Sequence, residues 1–276
     1  LAERLGIKYY DKELLQQAED HEVLLSEIVL QNEIEQFGTT KDKIYQKLEE
    51  RYDVMGKAAV RALGERLETA GNLISGIAMQ QNEYTAKGQT LCGEFMNTAM
   101  AMALSGSEVN ASMGRICAAP TAGACGIVPA VLISIEKARN CSKEAMLNAI
   151  LTSSGIGTIM MKNATIAGAE GGCQAECGVA AAMAAAAGGF TSVCPMPNTK
   201  PSTDTPEKIT ALLEKAKQDA KIHILPIGAI SIGQEGKVLA DIKGMAEAGA
   251  VAFSEDGKSV MNSALYAEGL KLAAEA

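Results

Sequence analysis

The sequence predicts a mainly α-helical domain followed by a shorter α/β segment, on three observations. Apolar residues recur at three- and four-residue steps from about residue 11 to 187. After about 190 the pattern changes to short apolar runs alternating with helical stretches, as in parallel βα units. An alanine–glycine run, 178–190, lies between the two, and the shift at 185–190 is the strongest organisational signal in the chain.

The helical elements follow in order. Residues 11–36 carry Leu14, Leu15, Ala18, Leu24, Leu25, Ile28 and Val29 at helical spacing, with Gly38 as the stop. Residues 41–70 continue the pattern through Ile44, Leu48, Tyr52, Met55 and Ala59, and residues 73–104 continue it with interruptions at Gly88 and Gly93. Pro129 suits the first turn of a helix reaching Arg139, and Ser142 suits the N-cap of the next. Beyond the boundary, 191–196, 222–227 and 250–254 read as strands. Helices are expected from Thr205 and Pro206 to about Ala220, over 237–248 with Gly249 as stop, and over 261–274.

Composition narrows the function. A chain of 276 residues holds one large or two small domains. A net charge of −8 disfavours nucleic-acid and anionic-membrane partners, and the absence of tryptophan disfavours stacking platforms. The alanine–glycine run is too short and too weakly apolar to span a bilayer, and no secretory signal is visible. Seven cysteines, an odd count clustered beside glycines, point to reduced cytoplasmic thiols rather than a disulfide framework.

Two glycine- and cysteine-rich stretches stand out, RICAAPTAGACG at 115–126 and GAEGGCQAECG at 168–178. Thiolates ligate soft metals and iron–sulfur clusters, and glycines admit a close backbone approach. Cys173 and Cys177 stand four apart, so on a helix they share a face. Two small packed thiols are the commoner use of such a pair. Glycines at 168, 171 and 172 favour a site, because a helix starting after them aims free N–H groups at an anion. The 121–126 segment is either a similar nest or a tight loop entering a helix. Cys92 and Cys141 read as core, and His21 and His223 as structural. Glu255 and Asp256 follow a strand end, where barrel enzymes place functional residues, but a plain acidic turn is the simpler reading.

RICAAPTAGACGIVPAVL and KNATIAGAEGGCQAECGVAAAMAAAA, with SEIVLQNEI near residue 26, closely resemble the α chain of iron–sulfur-dependent L-serine dehydratase over about 22–187. The resemblance implies conversion of L-serine to pyruvate and ammonia, as in gluconeogenesis from serine. It also implies a 4Fe–4S cluster whose open iron is a Lewis acid, and a β chain as possible partner and source of the base. Cys173 corresponds to the family cysteine of GGCQ. Thr121, Gly123, Asn163 and Gly168 are the implied substrate contacts. The family's two other thiolates lie downstream in a CDPVxGLVxxPC-type motif with no counterpart here. Cys194 stands in the wrong context and no cysteine follows it.

AAAAGGFTSVCPMPNTKPSTDTPE, PIGAIS and AGAVAFSEDGKSVMN resemble a dihydroorotase, a metal-dependent amidohydrolase barrel, over about 184–276. This implies a substrate-carboxylate contact at Asn198 and a metal region at Glu255-Asp256. The His-x-His ligands and later metal histidines of that family are absent, and about three βα units stand where the barrel has eight. LAERLGIKYYDKELL, within 1–20, resembles cytidylate-kinase-like proteins just past their phosphate loop. The expected organisation is therefore a kinase-like segment at 1–21, a serine-dehydratase α-chain-like helical domain at 22–187, and an incomplete βα-barrel fragment at 188–276. A composite chain that is catalytically inactive, or a dihydroorotase-like fragment, is the alternative to an impaired dehydratase. An open fragment with bare strand edges is expected to self-associate.

Overall fold

The computed structural model describes residues 18, 20–88, 90–163, 165–167, 173–189, 192–220 and 222–276. The kinase-like segment falls almost wholly outside the described residues. The chain divides into two units, Leu1–Gly189 and Phe190–Ala276.

The first unit is built from seven helices among the described residues: α1 (Leu25–Phe37), α2 (Lys41–Arg61), α3 (Ile77–Ala86), α4 (Gly93–Ala111), α5 (Ile127–Arg139), α6 (Lys143–Asn163) and α7 (Cys173–Gly188). Gly38, at φ 56°, ends α1 and donates its N–H to the Ile34 carbonyl, the left-handed stop expected of it. The predicted helix over 11–36 is interrupted in its described part: Ala18 and Asp20 are helical, Glu22 takes a positive φ of 53°, Val23 N–H turns back to the Ala18 carbonyl, and α1 starts at Leu25. α2 buries Leu48, Tyr52, Met55 and Ala59, one stripe at helical spacing. It stops at Arg61, not near 70, because Ser105 of α4 takes over the next residue: its Oγ accepts the Ala62 N–H at 3.0 Å and donates to the Ala58 carbonyl at 2.7 Å. Helix α4 runs seven residues past the predicted end at 104.

The end of α5 and the start of α6 follow the sequence. Asn140, at φ 51°, closes α5 and donates to the Glu136 carbonyl, and Ser142 Oγ accepts the Ala145 N–H at 3.2 Å. The core joins Leu48, Tyr52 and Met55 of α2 to Met102 of α4, Val128 and Leu132 of α5, Leu147, Ile150 and Leu151 of α6, and Val179 and Met183 of α7. Leu132 is fully buried, which is worth about 1.5–3 kcal/mol. Tyr52 carries its hydroxyl into this core and donates to Glu136 Oε2 at 2.7 Å; burial, then this bond, raises its pKa far above the usual phenol value.

The second unit holds β1 (Ser192–Val193), α8 (Pro206–Asp219), β2 (His223–Ile224), β3 (Ile227–Ala229), α9 (Ile242–Glu247), β4 (Ala252–Ser254) and α10 (Ser263–Glu275). Among the described residues the four strands pair in parallel, as expected, but in two two-stranded sheets, β1 with β2 and β3 with β4. The single strand predicted at 222–227 is split at Pro226, which lacks an N–H for a ladder. The predicted helix at 237–248 shrinks to α9, because Leu239 forms an antiparallel bridge to Ser231 and Asp241 then caps the helix through Gly244 N–H at 2.9 Å. Thr205 and Pro206 start α8 as read from the sequence. Ile209, Ala240 and Met245 form the small core. Val251, Ile232, Val238 and Met261 are exposed.

Candidate functional site

Two of the glycine-rich stretches meet within the helical unit. The 121–126 loop turns into α5 through Cys125 N–H to the Ala122 carbonyl (3.3 Å) and Ile127 N–H to the Ala124 carbonyl (3.1 Å). It crosses α4 at backbone contact. A Cβ on Gly126 would stand 2.3 Å from the Ala103 carbonyl oxygen, and one on Gly106 would stand 2.9 Å from Gly126 Cα. Gly126 is therefore a packing glycine. Gly123 is exposed, and the three atoms nearest its absent Cβ all belong to the Glu176 carboxyl group, at 2.8 to 3.1 Å.

Glu176 lies in the first turn of α7, three residues after Cys173. Its carboxylate has no hydrogen-bond or ion-pair partner among the described residues. Thr121 Oγ1 is buried with no hydrogen-bond partner. A buried hydroxyl without a partner costs about 1–3 kcal/mol, so it marks either stored cost or a ligand's place. Gly123 and Glu176 thus share one small polar surface, and Thr121 stands two residues before Gly123 in the same loop with its hydroxyl turned inward. The sequence reading passed over Glu176, although it stands within the GGCQAECG stretch.

Cys173 opens α7, as the sequence reading requires. Its side chain, that of Asn163, and Gly168 lie outside the described residues. Six other cysteines are free thiols. Cys125 is buried and its thiol faces the Gly106 carbonyl at 3.6 Å; burial pushes its pKa up. Burial pushes Cys117 up as well, partly offset by Arg51. Cys177 is half-buried. Cys92 is exposed rather than core, because α4 starts only at Gly93, whose φ is 74°. Cys141 is half-buried at the end of α5, and Cys194 is exposed.

Among the described residues, no three His, Cys, Asp or Glu side chains group so as to hold a metal ion. The described side chains therefore do not by themselves assemble the three-thiolate set of a 4Fe–4S cluster, and the Cys173 side chain is not among them.

In the second unit, Asn198 Nδ2 donates to Asp256 Oδ2 at 2.5 Å. Glu255 is buried. Its Oε2 accepts the N–H groups of Ile230 (3.0 Å) and Ser231 (3.3 Å), and its Oε1 accepts the Ser231 hydroxyl. The acidic pair thus holds loops together, as a structural turn does. Both histidines are exposed, with His223 on β2. Tyr266, Lys258, Asp256 and Phe253 line an open cavity of about 490 Å³ at the end of β4.

The comparisons with known proteins run in the same order along the chain, with two family matches that overlap over 157–193. The serine dehydratase alpha chain family matches residues 20–193, and the dihydro-orotase-like family matches residues 157–276. The L-serine dehydratase, alpha chain, of Peptoniphilus asaccharolyticus is 46% identical over 176 residues, 64% of this chain and 60% of that protein. The probable L-serine dehydratase, alpha chain, of Bacillus subtilis is 37% identical over 64% of this chain and 58% of its own length. The dihydroorotase of Macrococcus caseolyticus is 48% identical over 92 residues, 33% of this chain and 22% of that enzyme. The chain spans about three-fifths of the dehydratase relatives' length and about one-fifth of the dihydroorotase's. The described residues contain no helix long and apolar enough to cross a membrane. With a dihydroorotase-like region at its C-terminal end, this chain belongs to the serine dehydratase alpha chain family.

Proposed function

We propose that this chain is an L-serine dehydratase α-chain type protein that retains a substrate-positioning surface but not a complete cluster site. The observation that carries the reading is the seating of the Glu176 carboxylate against Gly123, which joins the two stretches richest in glycine and cysteine. An amino acid presents an ammonium and a carboxylate. The unpaired Glu176 carboxylate suits the ammonium. The buried Thr121 hydroxyl and the loop entering α5 offer donors to the carboxylate. Gly123 lets the ligand approach the backbone. Asn163 and Gly168 complete this set of contacts in the proposal.

In the family, the cluster supplies Lewis acidity at the leaving hydroxyl. In this proposal Cys173 is one ligand, and two further thiolates are not provided by the chain. The serine-dehydratase-like portion is assigned to 22–187 and the dihydroorotase-like portion to 188–276. A β chain is the proposed partner, and the exposed Leu91, Phe95, Met96 and Met100 around the start of α4 suit a protein contact. The free state of all six described cysteines supports a reducing, cytoplasmic setting. An amidohydrolase activity is not part of the proposal, because Glu255 and Asp256 are both engaged within their own unit.

Anaerobic reconstitution with iron and sulfide tests the reading, with iron and sulfide counted per chain and ammonia release from L-serine measured. The expected result is substoichiometric cluster and no serine-dependent ammonia, with L-serine binding that is lost in Glu176→Gln. A full four-iron complement with steady ammonia release would overturn the incomplete site, and serine binding unchanged in Glu176→Gln would overturn the positioning role.

A further inference from the structure

A second feature of the helical unit has no part in the surface just described. Between α2, the 115–120 segment and α6 lies an inner cavity of about 240 Å³. Met55, Val128, Ile150 and Met183 give it apolar walls. Gly157 shapes its floor, since a Cβ there would stand 2.7 Å from Met183 Sδ. Arg51, Ser153, Ser154 and Thr158 are the polar residues of this lining; Thr158 donates to the Ser154 carbonyl at 2.9 Å, Ser154 is exposed, and Ser153 is the buried hydroxyl among them. Ser153 is 1% exposed, and its Oγ is buried with no hydrogen-bond partner.

Beside the inner cavity lies an outer one of about 480 Å³, and Arg51, Cys117 and Ala118 line both. Lys47, Glu50 and Arg115 also line the outer chamber. Three cationic side chains against one carboxylate are out of keeping with a chain of net charge −8. Lys47, Arg51 and Arg115 make no ion pair among the described residues. Arg51 is close enough to Cys117 to lower its thiol pKa against the effect of burial. The cation therefore stands at the junction of the chambers.

A basic mouth, an apolar throat and a buried hydroxyl without a partner together define a ligand. We infer that this cavity binds a short aliphatic carboxylate carrying one polar substituent, with the carboxylate on Arg51 and Arg115, the chain among Met55, Val128, Ile150 and Met183, and the substituent on Ser153. Guanidinium recognises carboxylate by paired N–H donors, which a neutral amide cannot match. L-serine itself is a poor occupant, because its side chain offers no apolar surface to these walls. The inference needs neither the cluster nor Glu176, so it stands apart from the dehydratase reading.

The test is calorimetric titration of the full chain with 2-hydroxy-3-methylbutanoate, 3-methylbutanoate and the neutral 3-methylbutanamide. The hydroxy acid is expected to bind saturably, and the amide at least about tenfold more weakly, the worth of a charge-assisted hydrogen bond. Arg51→Gln is expected to weaken both acids about tenfold or more. Ser153→Ala removes a buried unpaired hydroxyl, so it is expected to fold at least as well as the parent chain. It should erase the preference for the hydroxy acid while leaving 3-methylbutanoate binding intact. No saturable binding, equal binding of acid and amide, or acid binding unchanged in Arg51→Gln would each overturn the inference. A preference for the hydroxy acid that survives Ser153→Ala would overturn the placement of Ser153.

Discussion

Two glycines three residues apart in one loop are expected to respond oppositely to a single methyl group. In Gly126→Ala the new Cβ would stand 2.3 Å from the Ala103 carbonyl oxygen. Even a close Cα–H···O contact holds carbon and oxygen at about 3.3 Å or more. The shortfall is therefore about 1 Å, and both sides of the contact are backbone. No rotamer relieves it, so the loop must lift from α4, where Gly106 already approaches Gly126 Cα. Overpacking of a filled interior costs about 1–3 kcal/mol, occasionally more. The upper end applies here, a large share of the roughly 5–15 kcal/mol that holds a typical domain.

In Gly123→Ala the same methyl meets the Glu176 carboxyl group at 2.8 Å, the far end of a flexible and half-exposed side chain. Rotation of that side chain relieves the contact for less than about 1 kcal/mol. The stability cost is small, but Glu176 leaves its place. Urea unfolding followed by far-UV circular dichroism reads the first effect. With a slope of about 1–3 kcal/mol per molar urea, Gly126→Ala should lower the midpoint by about 1 M or more, and Gly123→Ala by a few tenths. L-serine titration reads the second, and Gly123→Ala should lose binding while keeping its helix content. Equal midpoints for the two variants would refute the packing argument. Undiminished serine binding in Gly123→Ala would refute the assignment of Glu176 to the site.

Two further outcomes concern the second unit. Burial pushes the Asp204 carboxyl up, but hydrogen bonds from the Lys208 ammonium and the Gly233 N–H (2.6 Å) outweigh it and hold its pKa below the usual value. Its stabilising contribution is therefore present above about pH 4, the unfolded value, and fades as pH falls through the lower folded value. Asp204→Asn should be less stable at pH 7 and lose less on acidification, and parallel acid-unfolding curves would contradict this. Glu255→Ala strips the acceptor from Ile230 N–H and from the Ser231 N–H and hydroxyl, so a loss of about 3 kcal/mol is expected in urea. A neutral or stabilising effect, as for a carboxylate kept free for a metal, would show that the turn does not depend on it.

What the sequence made legible is what local chemistry decides. The stripe of Leu48, Tyr52, Met55 and Ala59, the stop at Gly38, the end of α5 at Arg139, and the caps at Ser142 and Thr205 each depend on neighbours within one or two turns. The start of α7 at Cys173 was legible for the same reason, since glycines precede it. What escaped depends on partners far along the chain. Glu108 reads as an ordinary helical glutamate, yet it is 1% exposed and accepts the Gly76 and Ala78 N–H groups at 2.9 and 2.7 Å, capping α3 from α4. Glu255 similarly reads as half of an acidic pair, while its acceptors' partners lie 24 and 25 residues upstream. Glu176 was hidden differently. Its own stretch directed attention to sulfur, and its significance emerges only when Gly123, 53 positions earlier, is found against it. A carboxylate is classified as anchor or as ligand-binding group by what already occupies its oxygens. By that criterion Glu108 and Glu255 are committed to the fold and Glu176 is not. The distinction predicts that Glu108→Gln and Glu255→Gln lose stability, whereas Glu176→Gln loses a ligand.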